Sequence, residues 1–358
     1  MKFDVITIGG ITEDIMFHAK DLKIIRNPNK IGSDELFAFP AGEKILSDEK
    51  VLYTMGGGGA NAAVGLSKLG LKAALVGAIG TDPSALKIRS ELKKKNVNLS
   101  LVQAISHYWT GLSFVITAGR RSDHVIFTHR AANEQLRLSY PKLRRLKGRW
   151  HYLTSLSGPF WQENLDVVFK VAKKKRIKVA WNPGSAQLKK GARFLKPYLK
   201  ETEVLILNRE EAMELVKSAG SPRSRSSPRW RAGAAGGAAG KKTSNIEKLL
   251  TILESLGPRI VSISDGPRGA YVYDGLRPIF EKALPFPAVN TTGAGDAFGS
   301  SLIGGLIIYQ GDLKRALKLA MIRSNYVVRK IGAQVGLLTL KEAEEAMEIR
   351  GQGTGSSN

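Results

Sequence analysis

Short β-branched runs recur along this chain, each stopped by a glycine or a turn and followed by a longer stretch whose apolar residues fall three and four apart. Runs at 3–8, 73–76, 179–181, 204–207 and 260–263 alternate with helical spacing at 60–69, 165–172, 246–256 and 294–308. Short apolar runs suit strands buried on both faces, and the 3.6-residue period suits helices laid over them. Parallel strands need long crossovers, which helices supply. The rhythm therefore predicts an α/β fold: a doubly wound, mostly parallel sheet with helices on both faces.

Two regions depart from that rhythm. Residues 12–54 show little helical spacing, while 111–118 and 123–128 read as a hairpin around Gly119, Arg120 and Arg121. Parts of 12–54 and 107–130 are therefore expected to form a small β lid on one main domain spanning 1–350. Residues 218–244 are Ser/Pro/Arg-rich and then Gly/Ala-rich, a composition that buries no core and predicts a flexible basic insertion. Residues 351–358 are expected to be a disordered tail.

The chain has 358 residues and a formal charge of +24. Seven cations lie in or beside the insertion, and residues 170–200 hold eleven more with no acid among them. With only Trp181, Phe194 and Tyr198 nearby, that second run reads as a solvated face with no specific nucleic-acid partner. The absence of cysteine excludes disulfides, thiolate zinc sites and cysteine nucleophiles. No apolar run reaches membrane-spanning length. A soluble cytoplasmic protein without a membrane partner is expected.

The string most specific for chemistry is Asn290, Thr291, Thr292, Gly293, Ala294, Gly295, Asp296, Ala297, Phe298. It opens a helix, and small residues at Gly293, Ala294 and Gly295 let backbone N–H groups converge at the helix's positive end as an anion hole. Asp296, in the first turn, is placed to accept a proton from a substrate hydroxyl. Donors for a charged group beside a base are what phosphoryl transfer requires.

That string resembles the C-terminal signature of the PfkB, or ribokinase-like, family of carbohydrate and nucleoside kinases. A second resemblance lies in Gly56, Gly57, Gly58, Gly59, Ala60 and Asn61, leading into a helix and then LVGAIGTD. The resemblance implies an ATP-dependent kinase that phosphorylates an alcohol group of a sugar or nucleoside, with Asp296 as base. It further implies that Asp14, Gly57, Gly58 and Asn61 hold the substrate, and that Asn208 and Glu211 in NREE organise Mg²⁺ through water beside the ATP phosphates. Ser264, Gly266 and Gly269 match the nucleotide-binding turn, and Asn325 borders the adenine pocket. Family lids often pair, which implies a homodimer joined through the lid.

Two positions depart from the pattern. Asn290 replaces the aspartate associated with a monovalent cation, which leaves K⁺ activation open. Gly58 stands where ribokinases carry lysine, which weakens the case for ribose. Rival readings are weaker. Gly57 to Ala62 satisfies GxGxxA with Asp82 about 20 residues on, as in an NAD(P)-binding Rossmann oxidoreductase, but this leaves the 290–298 string unexplained. A P-loop fails because Lys242 occupies the Ser/Thr site and Ala235 the first glycine. The charge alone would make a nucleic-acid-associated binder, with attraction that falls steeply as salt rises.

Overall fold

The computed structural model describes residues 2–19, 22–27, 35–47, 50–118, 124–219 and 238–353. The first half contains strands β1 (Lys2–Ile8), β2 (Thr12–Ala19), β3 (Lys23–Arg26), β4 (Glu35–Ala38), β5 (Leu52–Gly56), β6 (Ala73–Ile79), β7 (Asn98–Ala104), β8 (Gly111–Ala118), β9 (His124–His129) and β10 (Lys147–Leu153). Then come β11 (Lys178–Trp181), β12 (Val204–Asn208), β13 (Ile260–Ser264), β14 (Ala270–Tyr273) and β15 (Ile279–Glu281). Among them run helices α1 (Gly58–Lys68), α2 (Pro83–Lys94), α3 (Tyr140–Leu143), α4 (Trp161–Lys175), α5 (Ser185–Leu188), α6 (Gly191–Leu199), α7 (Arg209–Ser218), α8 (Ala238–Ser255), α9 (Ala294–Ile308), α10 (Leu313–Val327) and α11 (Leu340–Gly353).

The central sheet has the order β15-β14-β13-β12-β11-β10-β1-β6-β7. It is parallel from β13 to β7, and β14 and β15 add antiparallel edges. Alternation along β12 shows why both faces are covered. Leu205 and Leu207 pack with α4, α6, α7 and α8, whereas Val204 and Ile206 pack with α9 and α10. Helix α9 is buried over most of its length, with ten buried residues from Ala297 to Leu306, as expected of a helix apolar all round. Strands β7 and β10 escape the run-based reading because β7 buries only Leu99 and Val102 and β10 is buried only over its last four residues.

A second sheet, β5-β2-β8-β9, and a two-stranded pair, β3-β4, come from the regions singled out as breaking the rhythm. The hairpin is present as β8 and β9, paired antiparallel, and its proposed turn at 119–121 lies outside the described residues. The boundaries of the basic insertion differ from expectation. Ser218 closes α7 and residues 238–244 open α8, because helical spacing from Ile246 onward propagates back through Ala- and Lys-rich sequence. Residues 220–237 lie outside the described ones. Likewise 351–353 end α11, and 354–358 lie outside the described residues.

Part of the charge run sits on α4 and α6, where Lys173 pairs with Glu201 and Lys170 and Lys174 lie over the Tyr140 ring. Among the described residues no helix is long and apolar enough to cross a membrane.

One buried group sets a pH limit on this fold. His151 on β10 is fully buried, and among the described residues neither ring nitrogen has a partner. Burial pushes its pKa down to about 4 from 6.5. The folded state thus holds it neutral, while the unfolded chain takes up a proton below pH 6.5. Stability from this residue is complete above 6.5 and is lost as pH falls toward 4, by about 3 kcal/mol across that window. Denaturant midpoints measured at pH 7 and pH 4 should show that much less loss in His151→Leu than in the parent.

Candidate active site

Strand order reverses at β1, which has β10 on one side and β6 on the other. In open α/β sheets the crevice beyond the strand ends at such a point is where ligands bind. Gly9 and Gly10 follow β1 there, and Thr154 follows β10, donating from Oγ1 to Ile8 O at 3.2 Å. A Cβ on Gly59 would sit 2.7 Å from the Gly9 carbonyl carbon, so the start of α1 lies directly on this loop. Gly57 adopts φ +89, and a Cβ on it would come within 2.5 Å of Gly10 O. No other residue type fits that turn without strain.

Helix α9 delivers the second half of the site. Gly293 caps it with φ +79 and packs against Ala333. Asp296 lies in the first turn, partly buried, and accepts from Asn61 Nδ2 at 2.8 Å. A Cβ on Gly58 would lie 3.3 Å from Asp296 Oδ1 and 3.1 Å from Thr154 Oγ1. Two residues 235 positions apart, Asn61 and Asp296, are thus joined across the starts of α1 and α9. Helices α1 and α9 can converge because Gly65 faces Ser300 with no room for a side chain.

Asp14 points from β2 toward the same place, 6% exposed, with Thr12 Oγ1 donating to its Oδ1 at 2.9 Å. Burial raises its pKa, opposed by the Thr12 and Ser113 hydroxyls. Burial also raises that of Asp296, opposed by the Asn61 bond and reinforced by the Asp14 charge. Two carboxylates with raised pKa values at one crevice are a signature of a reactive centre. Beneath α9, the Tyr152 hydroxyl is buried without a partner among the described residues, and its pKa is raised by burial and by Asp296 and Glu211.

A second group of residues lies farther along the strand ends. Asn208 and Ser264 are register partners at the ends of β12 and β13, which brings NREE beside the Gly266–Arg268 turn. Asn208 and Glu211 form a reciprocal capping box. Asn208 Oδ1 accepts from Glu211 N–H and Glu211 Oε2 accepts from Asn208 N–H, both at 2.8 Å. Burial raises the Glu211 pKa. The Gly266 and Gly269 φ angles of +54 and +129 belong to glycine, and Arg268 grips Asp265. Asn325 takes a different part: Oδ1 accepts from Leu284 N–H at 2.8 Å and Nδ2 donates to Met321 O at 2.6 Å. Its amide ties the 284 segment to α10.

At Asn290, 1% exposed, Oδ1 accepts from Thr292 N–H at 2.8 Å. Its Nδ2 and the Thr292 hydroxyl are buried without partners among the described residues. In the glycine turn, Ala294 donates to Thr291 O at 3.2 Å. A Cβ on Gly295 would meet nothing within 4 Å, so the turn opens outward there.

Sequence reasoning missed Thr154 and Gln334, and the structure adds a partner for Asn133. Asn133 holds Ile11 by both ends of its amide at 2.8 Å, fixing the chain just before Asp14. Gln334 donates to Asn61 Oδ1 at 2.8 Å. Thr154 and Gln334 stand outside the two glycine-rich signature strings at 56–61 and 290–298, so those motifs carry no signal for them. A cavity of about 940 Å³ lined by Arg149, Lys178, Glu203 and Arg259 lies at the opposite edge of the sheet. There Glu203 already pairs with Lys178 and Arg259.

The Rossmann reading of 57–62 does not survive. That motif requires its strand in the central sheet, but β5 belongs to the small sheet. Asp82 instead caps α2, accepting from Ala85 N–H at 3.3 Å, and is held by Thr110.

Comparison with known proteins agrees with this architecture. The chain is 26% identical to the ribokinase of Bacillus subtilis over 316 residues, 86% of this chain and 92% of that protein. It is 24% identical over 359 residues to the ATP-dependent 6-phosphofructokinase of Thermoanaerobacterium thermosaccharolyticum, 98% of this chain and 95% of that one. Among solved structures, ribokinase from Giardia lamblia superposes with a TM-score of 0.74 at 18% identity, covering 97% of this chain and all (100%) of that one. The Burkholderia thailandensis nucleoside kinase in complex with inosine gives 0.73 at 15% identity, covering 96% and 98%. The profile of the pfkB family carbohydrate kinases matches residues 29–340. With that match spanning most of a ribokinase-like fold, the chain belongs to the pfkB family of carbohydrate kinases.

Proposed function

We propose that this kinase transfers the γ-phosphoryl group of ATP to an alcohol of a sugar or nucleoside, with Asp296 as general base. The observation that carries the reading is the Asn61–Asp296 pair at the start of α9, facing Asp14 across the crevice. Asp14 and Asn61 hold the substrate hydroxyls. Asp296 takes the proton of the reacting hydroxyl as its oxygen attacks phosphorus, and ADP departs as the phosphate ester forms. The raised pKa of Asp296 makes its carboxylate a stronger base than a solvated one. N–H groups at Gly293, Ala294 and Gly295 meet the charge developing on the phosphoryl oxygens, aided by the α9 dipole.

ATP phosphates would lie toward Asn208, Glu211 and the Ser264–Gly269 turn. The donor set there is one carboxylate and one amide, and no group of three acidic or histidine ligands occurs among the described residues. That suits Mg²⁺ carried by the nucleotide and held through water, since Mg²⁺ uses few protein ligands and keeps its waters. When bound, Mg²⁺ neutralises phosphate charge. Asn290 offers a cation one neutral side-chain oxygen, shared with Thr292 N–H, where a carboxylate would offer charge and a second oxygen, so it suits K⁺ less well. No step is routed through K⁺.

The test is a phosphoryl-transfer screen with Mg-ATP over pentoses, hexoses, phosphosugars and nucleosides. Transfer to at least one hydroxyl compound is expected. ATP consumption with none of them would sink the reading.

The small sheet supports a homodimer. One rung crosses all four strands as Tyr53, Ile15, Phe114 and Phe127, on the face opposite Asp14. Tyr53, Phe114 and Phe127 are 57%, 40% and 56% exposed, an apolar strip of the kind that marks an interface. Light scattering on the parent should give twice the monomer mass, and Phe114→Lys with Phe127→Lys should give the monomer. A monomeric parent at about 100 µM, well above typical dimer constants, would refute the dimer.

A further inference from the structure

We propose that Gln334 is a positioning residue for the reaction: with Lys95 behind it, its amide dictates which way Asn61 points and so holds the Asn61 N–H on Asp296. The proposal rests on the reading of Asp296 as the base.

An asparagine or glutamine amide presents an oxygen on one side and N–H groups on the other, and only its neighbours decide which way it turns. Here the decision starts from a group with no choice. An ammonium only donates, so the glutamine atom 2.6 Å from Lys95 Nζ is Oε1. The Gln334 N–H₂ then faces Asn61, which must show its oxygen, at 2.8 Å. The Asn61 N–H₂ is left facing Asp296 Oδ2, also at 2.8 Å. Every bond runs donor to acceptor from a cation to a carboxylate. The relay therefore matches the ionised form of Asp296, the form that accepts a proton.

The turn carrying Gln334 is fixed to the same site from its other side. Ala333 abuts Gly293 of the glycine turn, and Leu337 belongs to the cluster that holds Ile11, Met55 and Ala60. One short segment thus touches the anion-hole turn and the partner of the base. Gln334 also lies 3.4 Å from Met55 O, which gives its second N–H a weaker acceptor and keeps the amide plane in register.

Other charges act on the two ends. Asp14 from β2 opposes ionisation of Asp296, the Tyr152 ring system from β10 lies beneath it, and the Asn61 bond favours the carboxylate. At the far end, Glu91 on α2 supports the Lys95 charge, while burial and Lys68 on α1 oppose it. Removing Gln334 frees Asn61 to rotate and leaves Asp14 unopposed.

The experiment compares Gln334→Leu, Gln334→Glu, Lys95→Met and Lys95→Arg with the parent, after thermal melts show which variants fold. Gln334→Leu is expected to lower kcat about 10- to 100-fold, the scale of a misplaced reactive group, with KM for ATP changed less than about threefold. The acid limb of the kcat–pH profile and the Asp296 carboxyl midpoint, read by ¹³C NMR, should both move up. Gln334→Glu should turn the Asn61 oxygen toward Asp296 and move both further. Lys95→Met should act in the same direction more weakly, and Lys95→Arg should restore the parent's behaviour.

The failures separate. If the parent transfers phosphate and Asp296→Asn does not, the base reading holds. A folded Gln334→Leu with unchanged kcat, acid limb and NMR midpoint then overturns the relay, and Lys95→Met decides in the same way if Gln334→Leu does not fold. If the parent transfers nothing, the base reading falls and the NMR midpoint alone decides: raised in Gln334→Leu it upholds the hold on Asp296, unchanged it refutes it.

Discussion

Asp296→Asn is expected to lower kcat by about 10²- to 10⁴-fold, the usual contribution of a positioned general base. The replacement has the same shape, and its Oδ1 can still accept from Asn61, so the start of α9 should stay in place. What disappears is the capacity to take the hydroxyl proton. Binding, the glycine-turn donors and the helix dipole remain, and these account for the residual rate. KM for ATP should change little, because the residues proposed to hold the nucleotide lie at the ends of β12 and β13.

The pH profile gives an independent check on the same residue. In the parent, kcat should rise with pH as Asp296 loses its proton, with a midpoint above the ordinary 3.8 because burial and Asp14 raise it. Asp296→Asn should lack that limb. Equal rates for parent and variant across the profile would sink the mechanism.

Arg323→Ala is expected to lower stability by about 3–5 kcal/mol, the range for stripping a buried charged group from its partners. Arg323 on α10 is fully buried, and burial lowers its pKa to about 10. It donates to Leu338 O at 2.9 Å, Ser301 Oγ at 2.8 Å and Gly65 O at 3.0 Å. All three acceptors are neutral, so these hydrogen bonds hold the cation without a counter-charge. Truncation to alanine leaves those acceptors unsatisfied and opens a cavity.

The three acceptors also give the residue a functional reach. Gly65 lies in α1 behind Asn61, Ser301 in α9 behind Asp296, and Leu338 follows the Gln334 turn. Arg323 therefore pins together the three segments that carry the relay. Arg323→Met fills the space without the charge and should recover more than half of the lost stability. It should still show reduced kcat, because the segments are no longer tied to one another. Chemical denaturation with parallel kinetics reads both effects. A loss below about 1 kcal/mol for Arg323→Ala, the ordinary size of a surface change, would show that the staple carries little.

Much of the scaffold was legible before any coordinates. The strands at 3–8 and 204–207 and the helix at 294–308 follow from apolar periodicity, because burial on one or both faces leaves its period in the chain. Strand β10 was hidden because its first three residues, Lys147, Gly148 and Arg149, form no apolar run. The end of the basic insertion was misplaced because Ala- and Lys-rich sequence suits a helix as well as a linker.

At the site, Asp296 was legible from the glycine-rich helix start, whereas Asn61 and Asp14 entered only through the resemblance to the pfkB family; the structure brings all three to one crevice. Asn208 and Glu211 appear as a capping box, a local role written in the same NxxE spacing. Asn325 is bound to backbone at both ends of its amide, which only the packing of α10 against the 284 segment reveals.

By itself, the sequence determined the layer architecture and the residue types at the glycine-rich start of α9, because periodicity and short-range spacing encode burial and turn geometry. Only the tertiary structure decided that Lys95, Gln334, Asn61 and Asp296 form one line. Hydrogen bonds between residues far apart in sequence depend on how helices and turns converge in space, and no local pattern records that convergence.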